Sequence, residues 1–187
     1  MSLIFATGNQ RKIAEAERVA KKYGVELESR ALRIGEVQDR DPSKVVEAKA
    51  RGAYKILGRP VVVNDASWSV PALNGFPGAY MHDVADWFAP EDWLRLMADR
   101  DDRSVVVQEN VVFCDGEEIK CFQYSQVGRF ADQPRGTGGN SIDKVAIFAA
   151  DGRTIAECHD AGGHKTSSVA LGAWEDFFEW YVNEDVK

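Results

Sequence analysis

The chain has 187 residues, 44% of them hydrophobic and 28% charged, which suits one medium folded domain or one domain with two lobes. Its net charge is −7 and no stripe of lysine and arginine is visible, which excludes binding to the backbone of duplex nucleic acid but not to a small phosphorylated ligand. Three cysteines without metal-binding spacing, and no apolar run of the roughly 18 residues that span a membrane, predict a cytoplasmic protein with reduced thiols and no membrane partner.

The chain opens in the order strand, tight turn, helix and strand. Residues 3–7 form a short apolar run that predicts a buried strand, and Gly8-Asn9 ends it. Apolar residues then recur at helical spacing over 11–23, a glycine follows at the position of a helix stop, and 25–31 predicts a second strand. This order is typical of an α/β fold.

The middle of the chain predicts a second helix and then a central strand. The helix begins at Asp41-Pro42-Ser43, which supplies a capping side chain and a proline for the first turn, and a glycine after Leu57 ends it. The following run, 60–64, is rich in β-branched residues and predicts a central strand of the sheet.

The second half of the chain predicts a helical lobe, a hairpin and a closing helix. Residues 83–100 form an amphipathic helical region that Ala89-Pro90 interrupts. Asp115-Gly116 lies between two apolar runs and is a strong hairpin signal. The remaining predicted elements are a dense turn at 73–78, hairpin strands at 104–113 and 118–127, a glycine-rich loop at 130–143, a strand at 145–150 and a helix at 166–182.

Two polar segments follow predicted strands and are candidates for binding a phosphorylated ligand. Gly8 lets backbone N–H groups approach a ligand, the helix that follows favours an anion at its N-terminus, and Lys12 reaches a phosphate from the first turn. Asp65 stands at the end of the apolar strand, at the sheet edge where open α/β folds bind ligands, and is a candidate Mg²⁺ ligand or base. A plain strand-to-helix turn and an ordinary capping aspartate are the structural alternatives.

Further candidates lie in loops and carry weaker signals. Glu36 would complete a metal site with Asp65, although a solvated loop glutamate gives the same pattern. The loop at 134–139 is rich in glycine, and such flexible loops commonly cover ligands. The other candidates are residues of types that bind anions or transfer protons, namely His82, Asp143, His159, His164 and Lys165.

Taken together and in order, these segments resemble the inosine triphosphatase (Ham1-like) family of nucleotide pyrophosphatases. The resemblance covers nearly the whole chain, and its turn motif A-L-x-G-x-P-G-x-Y is matched in full at 72–80. The family's Glu-Asp pair reads Asn64-Asp65 in this sequence. The other matching residues are Thr7, Gly8, Asn9 and Lys12 in the opening strand and helix, Glu36 and Gln38 in an E-x-Q segment, Pro134, Arg135 and Gly136 in a PRG segment, and His164 near the end.

The resemblance implies a fold, a reaction and a set of binding residues. The fold would be a single domain over 1–187, a long twisted mixed sheet flanked by helices, with two lobes and a central cleft, and the protein would form a homodimer. The reaction would be hydrolysis of the α–β phosphate bond of a nucleoside triphosphate, preferably of the non-standard purine nucleotides ITP, XTP and dITP. Glu36 and Asp65 would hold Mg²⁺, or Mn²⁺ in its place, and orient a water.

The same resemblance implies which residues would contact the nucleotide. Lys12, with Asp65 and Glu36, would be catalytic, and Lys12 would also hold the phosphate chain. The implied substrate-binding residues are Thr7, Gly8, Asn9, Lys12, His82, Arg135, Asp143, His164 and Lys165.

The sequence departs from the family's pattern where the family contacts the base and the phosphates. In the family, a segment with two aromatic residues stacks on the base. The same positions, 140–143, read Asn-Ser-Ile-Asp here, so both rings are absent. Stacking of a base on an aromatic ring is worth roughly 1–3 kcal/mol. His82 replaces a lysine, Lys165 replaces an arginine and loses its bidentate fork, and a further family lysine has no counterpart. Trp68, where the family has a smaller residue, offers a new stacking surface.

These departures leave alternatives open. The protein is an enzyme with a shifted substrate, a catalytically weak nucleotide-binding paralogue, or a hydrolase of another phosphorylated metabolite. Retention of Glu36, Asp65 and Lys12 favours the enzyme.

Overall fold

In this computed structural model of the protein, the described residues are 2–35, 37–162 and 168–184. The strands are β1 (Leu3–Phe5), β2 (Leu27–Ser29), β3 (Val61–Val70), β4 (Phe76–Gly78), β5 (Ser104–Cys114), β6 (Ile119–Phe130) and β7 (Ala146–Ile147). The helices are α1 (Gln10–Tyr23), α2 (Pro42–Leu57), α3 (Met81–Trp87), α4 (Pro90–Leu96), α5 (Ile155–Asp160) and α6 (Ser168–Asn183). The predicted α/β class and the predicted order of elements are confirmed.

The two long N-terminal helices, α1 and α2, each begin at a capping side chain and end at a glycine. The side chain of Asn9 caps α1, and that of Asp41 caps α2 by accepting a hydrogen bond from the Ser43 backbone N–H over 3.0 Å. Both helices end at a glycine in the left-handed region, Gly24 at φ 68° and Gly58 at φ 63°, where a side chain would be strained. These local signals fix the entry of each helix relative to the strand that precedes or follows it.

The strands form a mixed seven-stranded sheet in the order β2-β1-β3-β5-β6-β7, with β4 paired to β3. β1 runs parallel to both of its neighbours, with Ile4 opposite Glu28 on β2 and opposite Val61 on β3. β4 pairs with β3, and β7 with β6, in antiparallel register. The parallel β1–β3 pair therefore brings the end of β1 beside the start of β3, and Asp65 follows a few residues along β3, in the region that positions the site.

The chain divides into two compact units. The first comprises Met1–Ala66, Glu109–Tyr124 and Ser168–Lys187, and the second comprises Ser67–Gln108 and Ser125–Ser167. In the first unit Phe5 packs edge to face on Trp174, with ring centroids 5.0 Å apart. In the second unit Trp93 is fully buried, and its Nε1 donates to Ser141 Oγ over 3.0 Å. The predicted helical lobe lies in the second unit as α3 and α4, while the assignment of 1–187 to one domain stays a prediction.

Two short elements differ from the sequence prediction. The strand predicted at 145–150 is confined to Ala146–Ile147, because the chain turns directly after it. The helix α5 was not predicted, since six residues are too few to show a helical period. A capping box starts it, in which Thr154 and Glu157 each accept a hydrogen bond from the other's backbone N–H.

Within the described residues, none of the helices combines the length and the apolar character needed to cross a membrane.

Candidate active site

Asp65 on β3 forms ion pairs with two lysines from two different helices. Nζ of Lys12, on α1, lies 3.1 Å from Oδ1 of Asp65, and Nζ of Lys49, on α2, lies 3.6 Å from Oδ2. The lysine side chains are 14% and 23% exposed and that of Asp65 is 39% exposed, so the pairs are partly shielded while the carboxylate remains open to a ligand. Lys12 and Asp65 were both predicted from sequence, and the structure brings them together.

The electrostatic surroundings keep Asp65 ionised. Burial by itself would raise the pKa of Asp65, but the charges of Lys12 and Lys49 and the hydrogen bonds from Lys12 and the Ala66 backbone lower it more, so the net pKa lies below the ordinary value. An ionised, half-exposed carboxylate between two cations can bind a metal ion or accept a hydrogen bond from water at neutral pH.

A buried polar network supports the backbone at this point of β3. The Asn64 side chain is buried, and its Nδ2 donates to Glu109 Oε2 over 2.9 Å and to the Asn110 backbone oxygen over 3.3 Å. Nδ2 of Asn110 donates to the Asp65 backbone oxygen over 3.4 Å. Gln123 on β6 donates to Asn110 Oδ1 over 2.9 Å and to Ser43 Oγ over 2.8 Å, which extends the network to the start of α2.

Glu109 is the buried acid of this network. Burial raises the pKa of Glu109, while the hydrogen bond from Asn64 and the charge of Lys12 act in the opposite direction and do not cancel the rise. A second buried acid, Glu15 on α1, pairs with Arg11 on its own helix over 3.2 Å.

The turn between β1 and α1 has a geometry that the sequence only partly anticipated. Oδ1 of Asn9 accepts the backbone N–H of Arg11 over 3.0 Å and that of Lys12 over 3.4 Å, and Thr7 Oγ1 accepts the Asn9 backbone N–H over 3.2 Å. A Cβ at Gly8 would lie 3.2 Å from the Cβ of Ala31. The glycine therefore permits close packing against the neighbouring segment. A role of 7–9 in phosphate binding stays a prediction.

Sequence reasoning missed Lys49 and Glu109. Lys49 lies on α2 between Val46 and Ala50, which are both fully buried. A lysine beside the apolar face of a helix is common, so its sequence position gave no reason to assign it to a site. Glu109 does carry a signal, because a Gln-Glu-Asn segment interrupts an otherwise apolar strand at 108–110. Charged residues are seldom buried without a partner, so this interruption is a signal from which a polar network inside the sheet could have been predicted.

Three predicted binding residues lie in the second unit. His82 has a side chain that is 89% exposed, and its Nδ1 lies 3.8 Å from Asp83 Oδ1. Arg135 donates to the Gly152 backbone oxygen over 2.7 Å and approaches Glu157 at 3.5 Å. Asp143 is fully buried, and its Oδ2 accepts the Asn140 backbone N–H over 2.9 Å. The contacts of Arg135 and Asp143 organise their own loops, and the substrate-binding roles of all three stay predictions.

The segment that replaces the aromatic pair of the family is packed into the second unit. Ile142 is fully buried among the core residues that surround Trp93. Ser141 accepts the Trp93 Nε1–H and lies 3.2 Å from the Ala85 backbone oxygen, to which its hydroxyl donates. Trp68 is half-buried on β3 and packs edge-on against Phe148, with ring centroids 5.7 Å apart. The side chains of 141 and 142 thus serve the core and present no ring to a ligand.

The glycine-rich loop at 134–139, which we expected to be flexible, is anchored to α5. Asp160 accepts the Thr137 backbone N–H over 2.7 Å, the Thr137 hydroxyl over 2.8 Å and the Gly138 backbone N–H over 3.0 Å. These amide contacts lower the pKa of Asp160. Glycine content suggested mobility, but one carboxylate binds three donors of the loop.

The predicted metal site is described only in part. Glu36 lies outside the described residues, as do His164 and Lys165. In the part of the chain that the structure describes, no group of three or more histidine, cysteine or acidic side chains is arranged to hold a metal ion. Mg²⁺ usually takes only one or two protein carboxylates and keeps water and phosphate oxygens as its other ligands, so the ionised and half-exposed Asp65 fits such an ion.

Comparison with known proteins agrees with the fold and the motifs. The sequence model of the Ham1 family matches residues 3–180. The chain is 34% identical over 184 residues to the dITP/XTP pyrophosphatase of Methanopyrus kandleri, with 98% of this chain and 97% of that protein covered. It is 32% identical over 181 residues to the dITP/XTP pyrophosphatase of Methanosarcina mazei, with 96% of this chain and 97% of that protein covered.

A HAM1 protein from Coxiella burnetii has the same fold, with a TM-score of 0.80 at 21% identity over 98% of this chain and 99% of that one. The resemblance inferred from the motifs is confirmed, and the chain belongs to the Ham1 family.

Proposed function

We propose that this protein is a nucleoside triphosphate pyrophosphatase that releases pyrophosphate and a nucleoside monophosphate. Membership of the Ham1 family supports this class of reaction, and so do the names of its relatives in Methanopyrus kandleri and Methanosarcina mazei. The observation that carries the proposal is the ionised Asp65 carboxylate held between Lys12 and Lys49. Hydrolysis of a nucleoside triphosphate needs a group that orients the attacking water and positive charges that bind the phosphates. The carboxylate can do the first, and the two ammonium groups can do the second.

Lys12 and Lys49 are the cations that bind phosphate oxygens in this proposal. Both ammonium groups already face an anionic oxygen, at 3.1 Å and 3.6 Å, and a phosphate oxygen is a chemically similar partner. Asn9 assists them, because its Oδ1 is committed to the first turn of α1 and only its Nδ2 group is left to donate to a ligand. When a phosphate takes over one lysine, the matching Asp65 oxygen is released for the reaction.

Asp65 orients the attacking water. The water oxygen forms a bond to the α-phosphorus, the bond from that phosphorus to the bridging oxygen of the β-phosphate breaks, and the water proton passes through Asp65 to solvent. Asp65 is ionised at neutral pH and can accept the hydrogen bond of that water, while its lowered pKa means that it binds the proton only weakly and passes it on readily to solvent. The negative charge on the departing pyrophosphate is balanced by Lys12 and Lys49.

We further propose that the reaction depends on Mg²⁺, with Mn²⁺ as a substitute. Asp65 would be one ligand of the ion and Glu36 the second carboxylate. The bound ion would neutralise charge on the phosphates and lower the pKa of a coordinated water. The remaining ligand positions suit water and phosphate oxygens, which Mg²⁺ prefers to dense protein ligation.

The proposed substrates are non-standard purine nucleotides, with an altered contact to the base. The printed names of the relatives point to dITP and XTP, and ITP has the same base as dITP. Because Ser141 and Ile142 belong to the core of the second unit, the base needs another surface, and Trp68 is the aromatic candidate. We also propose that the protein acts as a homodimer in the cytoplasm.

A second candidate function is nucleotide binding without turnover. Ile142 is buried at a position where the family has a ring that stacks on the base. If turnover depends on holding the base, the loss of this ring favours binding without turnover. Hydrolysis of another phosphorylated metabolite is the third candidate, and it would use Lys12, Lys49 and Asp65 in the same way without any base contact.

The decisive experiment is pyrophosphate release with Mg²⁺ from a panel of ITP, XTP, dITP, the standard nucleotides and modified pyrimidine triphosphates. We expect release from dITP, XTP and ITP. Release from a different member would redefine the substrate, and no release from any member, with nucleotide binding retained in calorimetry, would contradict the enzyme proposal in favour of a binding protein. Chelation of the metal should abolish release, and Mn²⁺ should restore it.

A matched pair of variants tests the role of Asp65. Asp65→Asn keeps the shape and removes the charge, and we expect turnover to fall at least about a hundredfold with the fold intact. Asp115→Asn is the control, because Asp115 caps the β5–β6 turn through its Oδ1, which an asparagine retains. Full activity of Asp65→Asn would show that the assignment is wrong.

A further inference from the structure

Glu109 is a buried acid to which the proposed chemistry assigns no task. It lies on β5, only 6% exposed, in the first unit. A buried carboxyl group carries a desolvation cost that hydrogen bonds and nearby opposite charges offset only in part, and an apolar side chain would avoid that cost. The contacts of Glu109 therefore define what it contributes.

Glu109 fixes the orientation of the Asn64 side chain. Nδ2 of Asn64 donates to Glu109 Oε2 over 2.9 Å and to the Asn110 backbone oxygen over 3.3 Å. A flipped amide would place Oδ1 of Asn64 against the carbonyl oxygen of Asn110, and two acceptors repel each other. Only one orientation of the amide satisfies both partners.

Asn64 in turn provides one of the two acceptors that hold Lys12. Nζ of Lys12 donates to the Asn64 backbone oxygen over 3.0 Å and to Asp65 Oδ1 over 3.1 Å. The Asp65 acceptor is lost whenever that carboxylate binds a ligand or takes a proton. The Asn64 carbonyl is neutral and remains available, so it can hold Lys12 in place while Asp65 reacts.

The neighbouring residue on β5 completes the arrangement. Asn110 donates from Nδ2 to the Asp65 backbone oxygen over 3.4 Å, and its Oδ1 accepts from Gln123 over 2.9 Å. Two successive residues of β5, 109 and 110, therefore hold two successive residues of β3, 64 and 65. Glu109 is the one of the two that is acidic, and its charge also acts on Lys12.

We propose that Glu109 is a positioning residue for the hydrolytic reaction, holding Asn64 so that Lys12 and Asp65 keep their mutual geometry. This inference rests on the proposed function, because that function assigns the phosphates to Lys12 and the water to Asp65. Glu109 acts through Asn64 and needs no contact with the nucleotide.

Two substitutions at Glu109 separate the hydrogen bond from the charge. E109Q retains an acceptor oxygen for Asn64 Nδ2 at nearly the same volume, whereas E109M fills the space without an acceptor. N64A and the double variant N64A/E109M complete a double-mutant cycle. The matched control is Ser141→Ala, because Ser141 is buried to a similar degree, 8% exposed, but its hydroxyl group bonds to Trp93 and Ala85 in the second unit.

The readouts are kcat and KM per folded enzyme, with the unfolding midpoint measured alongside. We expect E109M to lower kcat at least about tenfold with KM changed by less than about threefold, because a displaced Lys12–Asp65 pair affects the transition state more than the bound nucleotide. E109Q should keep kcat within about threefold of the wild type, and E109M should add less than about twofold in the N64A background. Ser141→Ala should lower the unfolding midpoint, because it leaves the buried Trp93 N–H without its acceptor, and it should leave kcat unchanged.

Each other outcome contradicts the proposal. If E109M lowers the midpoint but keeps the wild-type kcat, Glu109 is merely structural. If E109Q lowers kcat as much as E109M does, loss of the hydrogen bond to Asn64 is not the cause of the lower kcat. If the separate effects of N64A and E109M on kcat multiply in the double variant, Glu109 does not act through Asn64. Wild-type activity is measured first: an inactive wild type contradicts the proposed function and this role with it, whereas an active wild type with an unaffected E109M contradicts this role alone.

Discussion

Lys12 Nζ lies 3.1 Å from Asp65 Oδ1, although 53 residues separate the two along the chain. The parallel pairing of β1 with β3 creates this contact, because α1 starts directly after β1 and Asp65 lies a few residues beyond the paired segment. The ion pair therefore depends on sheet register and on the start of α1, and it couples the charge of Lys12 to the protonation of Asp65.

The first prediction concerns the pKa of Asp65 in the metal-free protein. Lys12→Met removes the largest influence that lowers this pKa, so we expect the pKa to rise, and Lys49→Met should cause a smaller rise. A carbon-detected NMR titration of the Asp65 carboxyl group measures both. Lys44→Met is the control, because Lys44 pairs with Asp39 on the surface and should not move the Asp65 titration.

The sign of the accompanying stability change follows from linkage. Because the pKa of Asp65 is lowered in the folded protein, its ion pairs stabilise the protein fully above the ordinary pKa of an aspartate. This stabilisation is lost as the pH falls through the lowered value. An Asp65 titration that does not respond to Lys12→Met would contradict the geometry of the pair.

The second prediction separates the capping role of Asn9 from its role toward phosphate. Asn9→Ala and Asp41→Ala each remove a helix N-cap, so we expect each to lower the free energy of unfolding by about 1 kcal/mol. Only Asn9→Ala should also raise KM for the nucleotide, since Asp41 caps α2 and is not assigned to the phosphates. Denaturant unfolding and steady-state kinetics on the two variants test this. Equal KM values for both would restrict Asn9 to its structural role.

The third prediction concerns Trp68 as the surface for the base. Trp68→Leu keeps an apolar side chain on β3 and removes the ring. We expect KM to rise roughly tenfold, which corresponds to about 1.4 kcal/mol and lies within the roughly 1–3 kcal/mol that stacking on a base is worth. Trp87→Leu is the control, because Trp87 is 77% exposed on α3 and has no assigned task. Unchanged nucleotide affinity in Trp68→Leu would remove Trp68 from the proposed site.

The fourth prediction concerns the stability cost of Glu109. Its raised pKa means that the folded protein binds more protons than the unfolded chain between the ordinary pKa of a glutamate and the raised native value. Stability therefore falls as the pH rises through that window. Glu109→Gln cannot ionise, so we expect it to be more stable than the wild type at neutral pH and to lose this advantage near pH 4, below the ordinary pKa of about 4.3. Urea unfolding at both pH values checks this, and an advantage that is equal at both would contradict it.

The sequence predicted those parts of the fold that have local causes. The cap at Asp41, the interruption at Ala89-Pro90 and the turn at Asp115-Gly116 each depend on neighbouring residues, and the structure has a helix start, a helix break and a hairpin at these positions. The boundaries of short strands were less predictable. Strand β7 has only two residues, which pair with Arg129 and Phe130 of β6 before the chain turns away, and no local pattern reveals where this pairing stops.

The candidate site was predictable in part for the same reason. Lys12 and Asp65 follow strand ends, which is a local signal for a ligand site, whereas Lys49 and Glu109 reach the site through the packing of α2 and the register of β5. Hydrogen bonds such as that from Asn64 to Glu109, 45 residues apart, depend on which strands are neighbours. Sequence patterns reveal that 108–110 is polar but not what it faces.

The hydrogen bonds that Asp160 accepts from the backbone of Thr137 and Gly138 affect where this protein can be cleaved by a protease or can accept an inserted sequence. Glycine-rich loops are ordinarily good sites for limited proteolysis and for inserting foreign sequence, because they reach the extended form that a protease binds at little energetic expense. At 134–139 that form requires three hydrogen bonds to one carboxylate to break together. A protease nick or an inserted tag is therefore better tolerated elsewhere, and the glycines of this segment serve close packing rather than freedom.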